Sequence, residues 1–162
     1  MNKNYLNIYN NLIKLTRNKK LYIKLQKQDT FSDRLVILFF HFSFFLKIYK
    51  LSIHKNKIQD LFDFFIHHIE LSIREIGYGD VTVNKKMKEY INLLYSIIEK
   101  IEIWDHLDLK SKNQIIADYL NINKNLDFYV NYLEKYRCFL IKNTLKNFTK
   151  DIINFNYGST KT

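Results

Sequence analysis

The sequence predicts an all-α protein, a single compact domain of about six to eight helices, and three observations support this prediction. The 162 residues are 47% hydrophobic and 16% aromatic, enough to build a buried core in one domain. Proline is absent and glycine occurs only three times, whereas the tight turns of many-stranded proteins need both residues. Apolar residues recur mostly at the i, i+3, i+4 spacing of amphipathic helices. We expect the domain to cover residues 1–150 and the C-terminal tail, residues 151–162, to fray.

The N-terminal third of the chain predicts two helices and one ambiguous segment. Apolar residues spaced for one helical face predict a first helix from Tyr5 to Leu15. Residues 19–28 alternate apolar and polar side chains, which also fits a strand, but one short strand without a partner is not stable. The segment from Leu35 to Ile53 is apolar on most sides and is the predicted central helix, with Thr30 or Ser32 as its N-cap.

The formal net charge of +10 points to contact with nucleic acid or with an anionic membrane surface. No acidic residue precedes Asp29. Organelle-targeting peptides are also basic, but they favour Arg and Ser where this segment favours Lys and Asn, so we interpret it as the first helix of the domain. The longest apolar run, residues 35–46, is shorter than the roughly 20 residues of a membrane-spanning helix. We therefore predict a soluble or peripheral protein with no transmembrane segment.

Two longer helices are predicted on either side of a turn that contains glycine. The first runs from Ile58 to about Ile76, and the second runs from Val83 to about Ile103 with Thr82 as its N-cap. Between them, Gly77 and Gly79 are expected to allow a left-handed helix end, and the aspartate that follows is expected to accept backbone N–H groups of the turn. A phosphate-binding loop is the alternative, but it requires a preceding strand and a following Lys-Ser/Thr pair.

Beyond Trp104 the helical periodicity weakens. Three shorter helices joined by Asn-rich turns are predicted in this part of the chain: Ile115–Leu120, Leu126–Leu133 and Phe139–Phe148.

The sequence contains no arrangement of residues that predicts catalysis, so we expect that the protein is not an enzyme. Asp60, Asp63 and His67 fall on one face of a predicted helix, with His68 and Glu70 close by. Helical bundles that bind two metal ions use Glu-x-x-His on two helices, and this chain has no Glu-x-x-His sequence. We therefore expect a solvated polar face, no metal and no cofactor. The single cysteine is expected to be structural or incidental.

The stretch LSIREIGYGDVTVNKKM, residues 71–87, resembles the hallmark of the ubiquinol–cytochrome c chaperone family. That family shows Leu-Arg-Glu-aliphatic-Gly-x-Gly-Asp at the junction of two helices, followed by a helix start rich in Lys and Arg. The hallmark residues of this chain are Arg74, Glu75, Gly77, Gly79 and Asp80. Two earlier blocks agree in order: QDLFDFF at 59–65, and DTFSDRLVILFFHFSFFLKI at 29–48 with Arg34 and His41 at matching positions. The resemblance covers residues 9–103 well and 105–135 loosely.

Four residues depart from the family pattern and indicate a divergent, bacterial-type member. Asp33 stands where the family usually has Gly, and Val36 stands where an acid is common. Ile73 replaces the usual Leu before Arg-Glu, and His68 stands where an acidic residue is expected.

The resemblance implies a non-enzymatic assembly chaperone with an all-helical fold. Such proteins hold a hydrophobic membrane-protein client, newly made cytochrome b, while the ubiquinol–cytochrome c reductase complex is built. The implied partners are this client, a small partner protein and the ribosome, whose rRNA is the one nucleic acid expected to meet the chain. The implied location is cytoplasmic and peripheral at the inner membrane, or the matrix side of that membrane in mitochondria.

Three further expectations concern the lysines after the hallmark, the phenylalanines before it and one histidine. Lys85, Lys86 and Lys88 follow the hallmark, where cations oppose the dipole of a helix start, so we expect contact with an acidic partner or the membrane; ordinary solvated lysines are the alternative. The phenylalanines of the two helices before the turn exceed one inward face, so we expect part of them to form a groove for an apolar helix. These are Phe39, Phe40, Phe42, Phe44, Phe45, Phe62, Phe64 and Phe65. His41 is expected to be a core imidazole hydrogen-bonded to a neighbouring helix.

Two other functions stay open on the residues alone. One is a basic helical protein that binds nucleic acid, although the charge is Lys-rich and scattered and no recognition-helix motif is present. The other is a peripheral protein that binds anionic lipid, which sedimentation with anionic and neutral vesicles tests.

Overall fold

The computed structural model describes residues 2–150 and 155. Within these residues every regular element is a helix, which confirms the all-α prediction. The described residues form α1 (Asn2–Thr16), α2 (Lys20–Ile23), α3 (Phe31–Tyr49), α4 (Lys55–Glu75), α5 (Asp80–Glu102), α6 (Leu109–Leu120), α7 (Leu126–Lys142) and α8 (Leu145–Phe148). Short 3-10 helices, Lys50–Ser52 and Trp104–His106, follow α3 and α5.

Helix α3 lies at the centre of the fold, as predicted, and contacts α1, α5, α6 and α7. From Leu35 to Phe45 every side chain is buried. Thr30 is the N-cap: its hydroxyl accepts a hydrogen bond from the Asp33 N–H, and the Asp33 carboxylate accepts one from the Thr30 N–H. This capping box satisfies two backbone donors that the helix itself leaves free. The departure from the family pattern at position 33 therefore has a structural role, because a glycine cannot close the box.

The same central segment has the dimensions of a membrane-spanning helix. The helical segment Phe31–Ser52 has a mean hydropathy of 1.6 and 22 residues, so it is long and apolar enough to cross a membrane. The run 35–46 alone had not indicated this length. Within the protein, however, 67% of the qualifying window is buried, as a core helix requires.

Several predicted boundaries are wrong because capping, rather than apolar periodicity, decides where these helices begin and end. Residues 19–28, whose alternation also fits a strand, contain the short helix α2. Helix α5 begins at Asp80 with Gly79 as its N-cap, so Thr82 lies inside the first turn. Helix α6 begins earlier than predicted, because the Asp108 carboxylate caps it by accepting the Ser111 N–H at 2.9 Å.

The predicted helix Phe139–Phe148 is likewise two elements. Helix α7 continues to Lys142, and α8 begins after Thr144, whose hydroxyl accepts the Asn147 N–H at 3.2 Å. A side-chain oxygen that satisfies a free N–H group is the usual reason for a new helix start.

Helix α8, the last helix of the described residues, is hydrogen-bonded to α1. The buried Asn11 side chain donates to the carbonyls of Phe148 and Lys150 at 2.6 and 2.7 Å. Phe148 is itself buried against the rings of Phe45 and Tyr49. Apart from residue 155, the tail for which we predict fraying, residues 151–162, lies outside the described residues.

Candidate functional site

The turn between α4 and α5, which we call the hallmark junction (residues 74–80), depends on one left-handed glycine. Gly77 has φ +102, and its N–H donates to the Arg74 carbonyl at 2.9 Å. This conformation suits glycine and was expected there. The same expectation for Gly79 is wrong: its φ of −70 and ψ of 163 describe extended backbone that any residue adopts.

The Arg74 guanidinium joins the end of α4 to the start of α5. Its Nη1 lies 2.6 Å from Asp80 Oδ1, and its Nη2 lies 2.9 Å from Glu70 Oε1. Hydrogen bonds to Asp80, and then to Glu70, raise the pKa of Arg74. The expected role of Asp80 as an acceptor for backbone N–H groups is corrected: its carboxylate accepts from Arg74. Glu70 was not assigned to the junction from the sequence, although its i−4 spacing from Arg74 places it on the same helix face.

Glu75 is a hallmark residue that does not join this network. It lines a pocket of about 700 Å³ whose walls come from α1, α2, α3 and α4. Arg34, one of the two residues of the earlier blocks that match the family, lines the same pocket. We call this cavity the basic pocket because Arg17, Lys19 and Arg34 also line it. The structure thus separates Glu75 from Arg74 and Asp80, and brings it together with Arg34.

Arg34 is held at the pocket by two neighbours. Its Nε lies 2.6 Å from Asp29 Oδ2, and its guanidinium carbon lies 5.4 Å from the centre of the Tyr22 ring. The hydrogen bond to Asp29 raises the pKa of Arg34. An Arg with one nitrogen used in an ion pair keeps other N–H groups that can donate to a ligand.

Apolar side chains are exposed around the hallmark junction. We call these the junction patch: Leu71, Ile76, Tyr78 and Val81. Val81 is 85% exposed although it lies in the first turn of a long helix. The groove expected from the phenylalanines is wrong, because the five in α3 and Phe65 are buried, while Phe62 and Phe64 are half-buried. The phenylalanines that exceed one inward face pack against neighbouring helices. The rings of Phe42 in α3 and Phe65 in α4, for example, stack with their centres 3.9 Å apart.

The three lysines that follow the junction have different environments. The Lys86 ammonium lies 4.8 Å from the centre of the Tyr78 ring and forms a cation–π interaction with this residue of the turn. Lys85 and Lys88 are exposed and have no ion-pair partner within the described part of the chain. Since α5 already begins at Asp80, none of the three lies in its first turn, and the argument from the helix dipole is wrong for them.

Residues 24–103 match the family model described as "Ubiquinol-cytochrome C chaperone". The chain belongs to this family. No curated protein and no solved structure gives a significant match. The family match spans α3, α4 and α5, and contains every hallmark residue, Arg34, His41 and the three lysines. It starts at residue 24, later than the resemblance suggested, so α1 and α2 lie outside it.

Membership of a ubiquinol–cytochrome c chaperone family supports an assembly-chaperone role in general and implies a client protein. It is also consistent with a protein that is not an enzyme. The polar face of α4 is solvated, as predicted. Asp60, Asp63 and His67 are exposed, and the Asp63 carboxylate accepts a hydrogen bond from the Gln59 amide at 2.8 Å. Among residues 2–150 and 155, no group of three His, Cys, Asp or Glu side chains is placed to hold a metal ion. Cys138 is exposed on α7.

Two histidines of this chaperone serve the packing. His41 is buried, with Nδ1 2.7 Å from the Ile37 carbonyl and Nε2 2.6 Å from the Tyr132 hydroxyl on α7, the arrangement of a core imidazole. His68, which replaces an acidic residue, packs between the rings of Tyr9 and Phe64 at 4.7 and 4.4 Å. Burial, and then the neighbouring His67, lower the pKa of His68, so the ring favours its neutral form.

Proposed function

We propose that this chain is an assembly chaperone that holds a hydrophobic segment of cytochrome b while the ubiquinol–cytochrome c reductase complex is built. Family membership supports the chaperone role. The observation that carries the choice of site is the exposure of the junction patch beside the hallmark residues. An apolar patch that stays exposed on a protein usually marks a contact surface.

The hallmark junction suits this task because it holds the residues of the junction patch in a fixed position relative to one another. The left-handed Gly77 ends α4, the ion pair of Arg74 with Asp80 connects α4 with α5, and the pair with Glu70 holds the Arg74 side chain on α4. A preorganised surface binds with a smaller loss of conformational entropy than a mobile one. Binding of an apolar client segment would remove Val81 and its neighbours from water, which is favourable in proportion to the area buried.

We propose further that the chaperone works at the inner membrane surface, in the cytoplasm or on the matrix side in mitochondria. The formal charge of +10 supports attraction to anionic lipid or to rRNA near a ribosome exit. Lys85 and Lys88, which are exposed beside the patch, are the residues that would contact such a surface or an acidic partner protein.

Replacing Val81 with Asp is expected to abolish most of the chaperone function without unfolding the protein, because Val81 is 85% exposed. The measurement is cytochrome b content and reductase abundance in cells that lack the gene and carry either variant. Leu51→Asp is the matched control, since Leu51 is 93% exposed and lies away from the junction. We expect Val81→Asp to resemble the deletion and Leu51→Asp to restore the complex.

Normal cytochrome b in the deletion strain would contradict the proposed function itself. If the purified protein then bound duplex DNA or RNA with strong salt dependence, the nucleic-acid alternative would replace it. Equal loss with Val81→Asp and Leu51→Asp would contradict only the assignment of the junction patch.

Breaking the junction ion pairs is expected to weaken client capture with little effect on stability. Arg74→Gln removes exposed ion pairs, which rarely contribute much to the free energy of unfolding. Lys50→Gln is the control, since it removes the exposed ion pair with Glu102 far from the junction. The measurements are thermal unfolding and the yield of cytochrome b cross-linked to each variant. Unchanged cross-linking in Arg74→Gln would show that the ion pairs do not set the binding surface.

A further inference from the structure

We propose that the basic pocket binds one anionic phospholipid at a membrane surface. Its phosphate would lie among the cations Arg17, Lys19 and Arg34, and part of an acyl chain would lie on the apolar floor. This inference does not depend on the identity of the client, because the cations of the pocket come from α3 and from the segment between α1 and α2. Of the junction patch, only Ile76 lines the pocket.

The charges that line the pocket favour an anion. Arg17 and Lys19 are exposed and form no ion pair within the described residues. Arg34 uses its Nε for Asp29, and its two terminal nitrogens enter no ion pair within residues 2–150 and 155, so they can donate to a ligand. Glu75 is the one carboxylate among the lining residues. A guanidinium can donate two N–H groups to the oxygens of one phosphate, which gives both affinity and a fixed orientation.

The charges of Glu75 and Arg17 both act on Tyr9, which lines the same pocket. Burial is the main cause that raises the pKa of Tyr9, and the Glu75 carboxylate raises it further. A hydrogen bond with Ser72 and the charge of Arg17 act in the opposite direction. The hydroxyl of Tyr9 therefore stays protonated at neutral pH and can donate to an anionic group.

The floor of the pocket favours an apolar body attached to that anion. Ile13, Leu35, Leu38 and Ile69 line it, and the last three belong to the buried core. The volume of about 700 Å³ lies within the range of sites that enclose organic ligands, roughly 300–1,000 Å³. An inorganic phosphate would leave most of this volume, and its apolar walls, unused.

The surface beside the pocket favours a lipid that is still in a bilayer. Helix α2 continues directly from the pocket residue Lys19, and its Ile23 is 71% exposed beside the exposed Lys24. An apolar residue among lysines is the pattern of segments that lie at a membrane interface, where the apolar side chain enters the headgroup region and the lysines attract anionic lipid.

The test is sedimentation of the full chain with phosphatidylcholine vesicles that contain or lack phosphatidylglycerol. We expect binding only with phosphatidylglycerol, and we expect Arg17→Gln/Lys19→Gln to weaken it roughly tenfold or more, since each cation near an anionic surface contributes. Lys110→Gln/Lys142→Gln removes the same charge from exposed lysines of α6 and α7, and should change binding by less than about threefold. Equal weakening by both double variants, or binding without phosphatidylglycerol, would overturn the proposal.

A second measurement separates a phospholipid site from a general anion site. Short-chain phosphatidylglycerol, below its micelle concentration, should raise the unfolding temperature of the wild type, whereas glycerol phosphate should not. Ile13→Trp, which fills the pocket without changing charge, should remove the lipid effect. An equal shift with glycerol phosphate would overturn the proposal in favour of a phosphate site. Since Arg17 and Lys19 are exposed, their variant keeps the test decisive even if Ile13→Trp does not fold.

Discussion

Lowering the pH from 6.5 to about 4 is expected to reduce the free energy of unfolding by about 3 kcal/mol, because His41 must remain neutral in the core. Burial lowers the pKa of His41 to about 4, although the hydrogen bond to the Ile37 carbonyl acts in the opposite sense. A carbonyl can only accept, so Nδ1 carries the proton and Nε2 accepts from the Tyr132 hydroxyl. Protonation of Nε2 would force the Tyr132 hydroxyl to turn its proton away and accept instead, and would place a charge in the core.

The sign of this effect follows from proton binding in the two states. In the unfolded chain His41 binds a proton below its ordinary pKa of 6.5, whereas in the folded protein it does so only near 4. Between these values the unfolded state holds more protons, so stability rises with pH. Above 6.5 and below about 4 this residue adds no further pH dependence. The titratable side chains packed against the ring are Tyr132 and Tyr136, whose ring centres lie 5.4 and 4.7 Å from it. The Tyr136 hydroxyl donates to the His41 carbonyl, and burial raises its pKa.

Urea unfolding of the wild type and of His41→Gln at several pH values from 4 to 7 checks this prediction. A glutamine amide can donate to the Ile37 carbonyl and accept from Tyr132, but it does not titrate. The variant should therefore show a much weaker dependence on pH, whatever its stability at pH 7. His68, whose pKa is also lowered by burial and by His67, contributes equally to both proteins. The same slope in His41→Gln and in the wild type would contradict the assignment.

The helices were predictable wherever one apolar stripe runs along them. Helix α4 follows the predicted span closely, because Leu61, Phe65, Ile69 and Ile73 repeat at helical spacing and are all buried. The start of α5 was missed because residue type favoured Thr82 as a cap. In the structure Gly79 is the cap, and Asp80 lies in the first turn, where its carboxylate suits the dipole and pairs with Arg74.

Only the part of the site whose residues are close together in the chain could be predicted from the sequence. The motif brings Arg74 and Asp80 together because they flank one turn. The basic pocket was not predicted, since its walls come from four helices and Arg17 and Glu75 are far apart in the chain. Only the tertiary packing of α1 beside α4 places them near one cavity. The exposure of the junction patch was also missed, because apolar residues at the end of a helix look like core residues in the sequence.

Replacing Gly77 with Ala is expected to lower the free energy of unfolding by about 1–2 kcal/mol, because an L-residue is strained at positive φ. Gly77 has φ +102, and a Cβ added there would meet no heavy atom of the described residues within 4 Å. The loss would therefore come from the backbone conformation and not from a steric clash. Asn tolerates left-handed conformations better than Ala, so Gly77→Asn should lose less.

Gly79 is the matched control for this experiment, since it also has open space around its Cβ position but has φ −70. Gly79→Ser should leave stability unchanged or raise it, because extended backbone suits Ser and Ser is a favourable N-cap. Urea unfolding of the three variants at one pH measures all of these differences. The order expected, from the most to the least stable, is Gly79→Ser, Gly77→Asn and Gly77→Ala. Equal losses for Gly77→Ala and Gly79→Ser would mean that the junction depends on small size at both positions and not on the left-handed conformation of one.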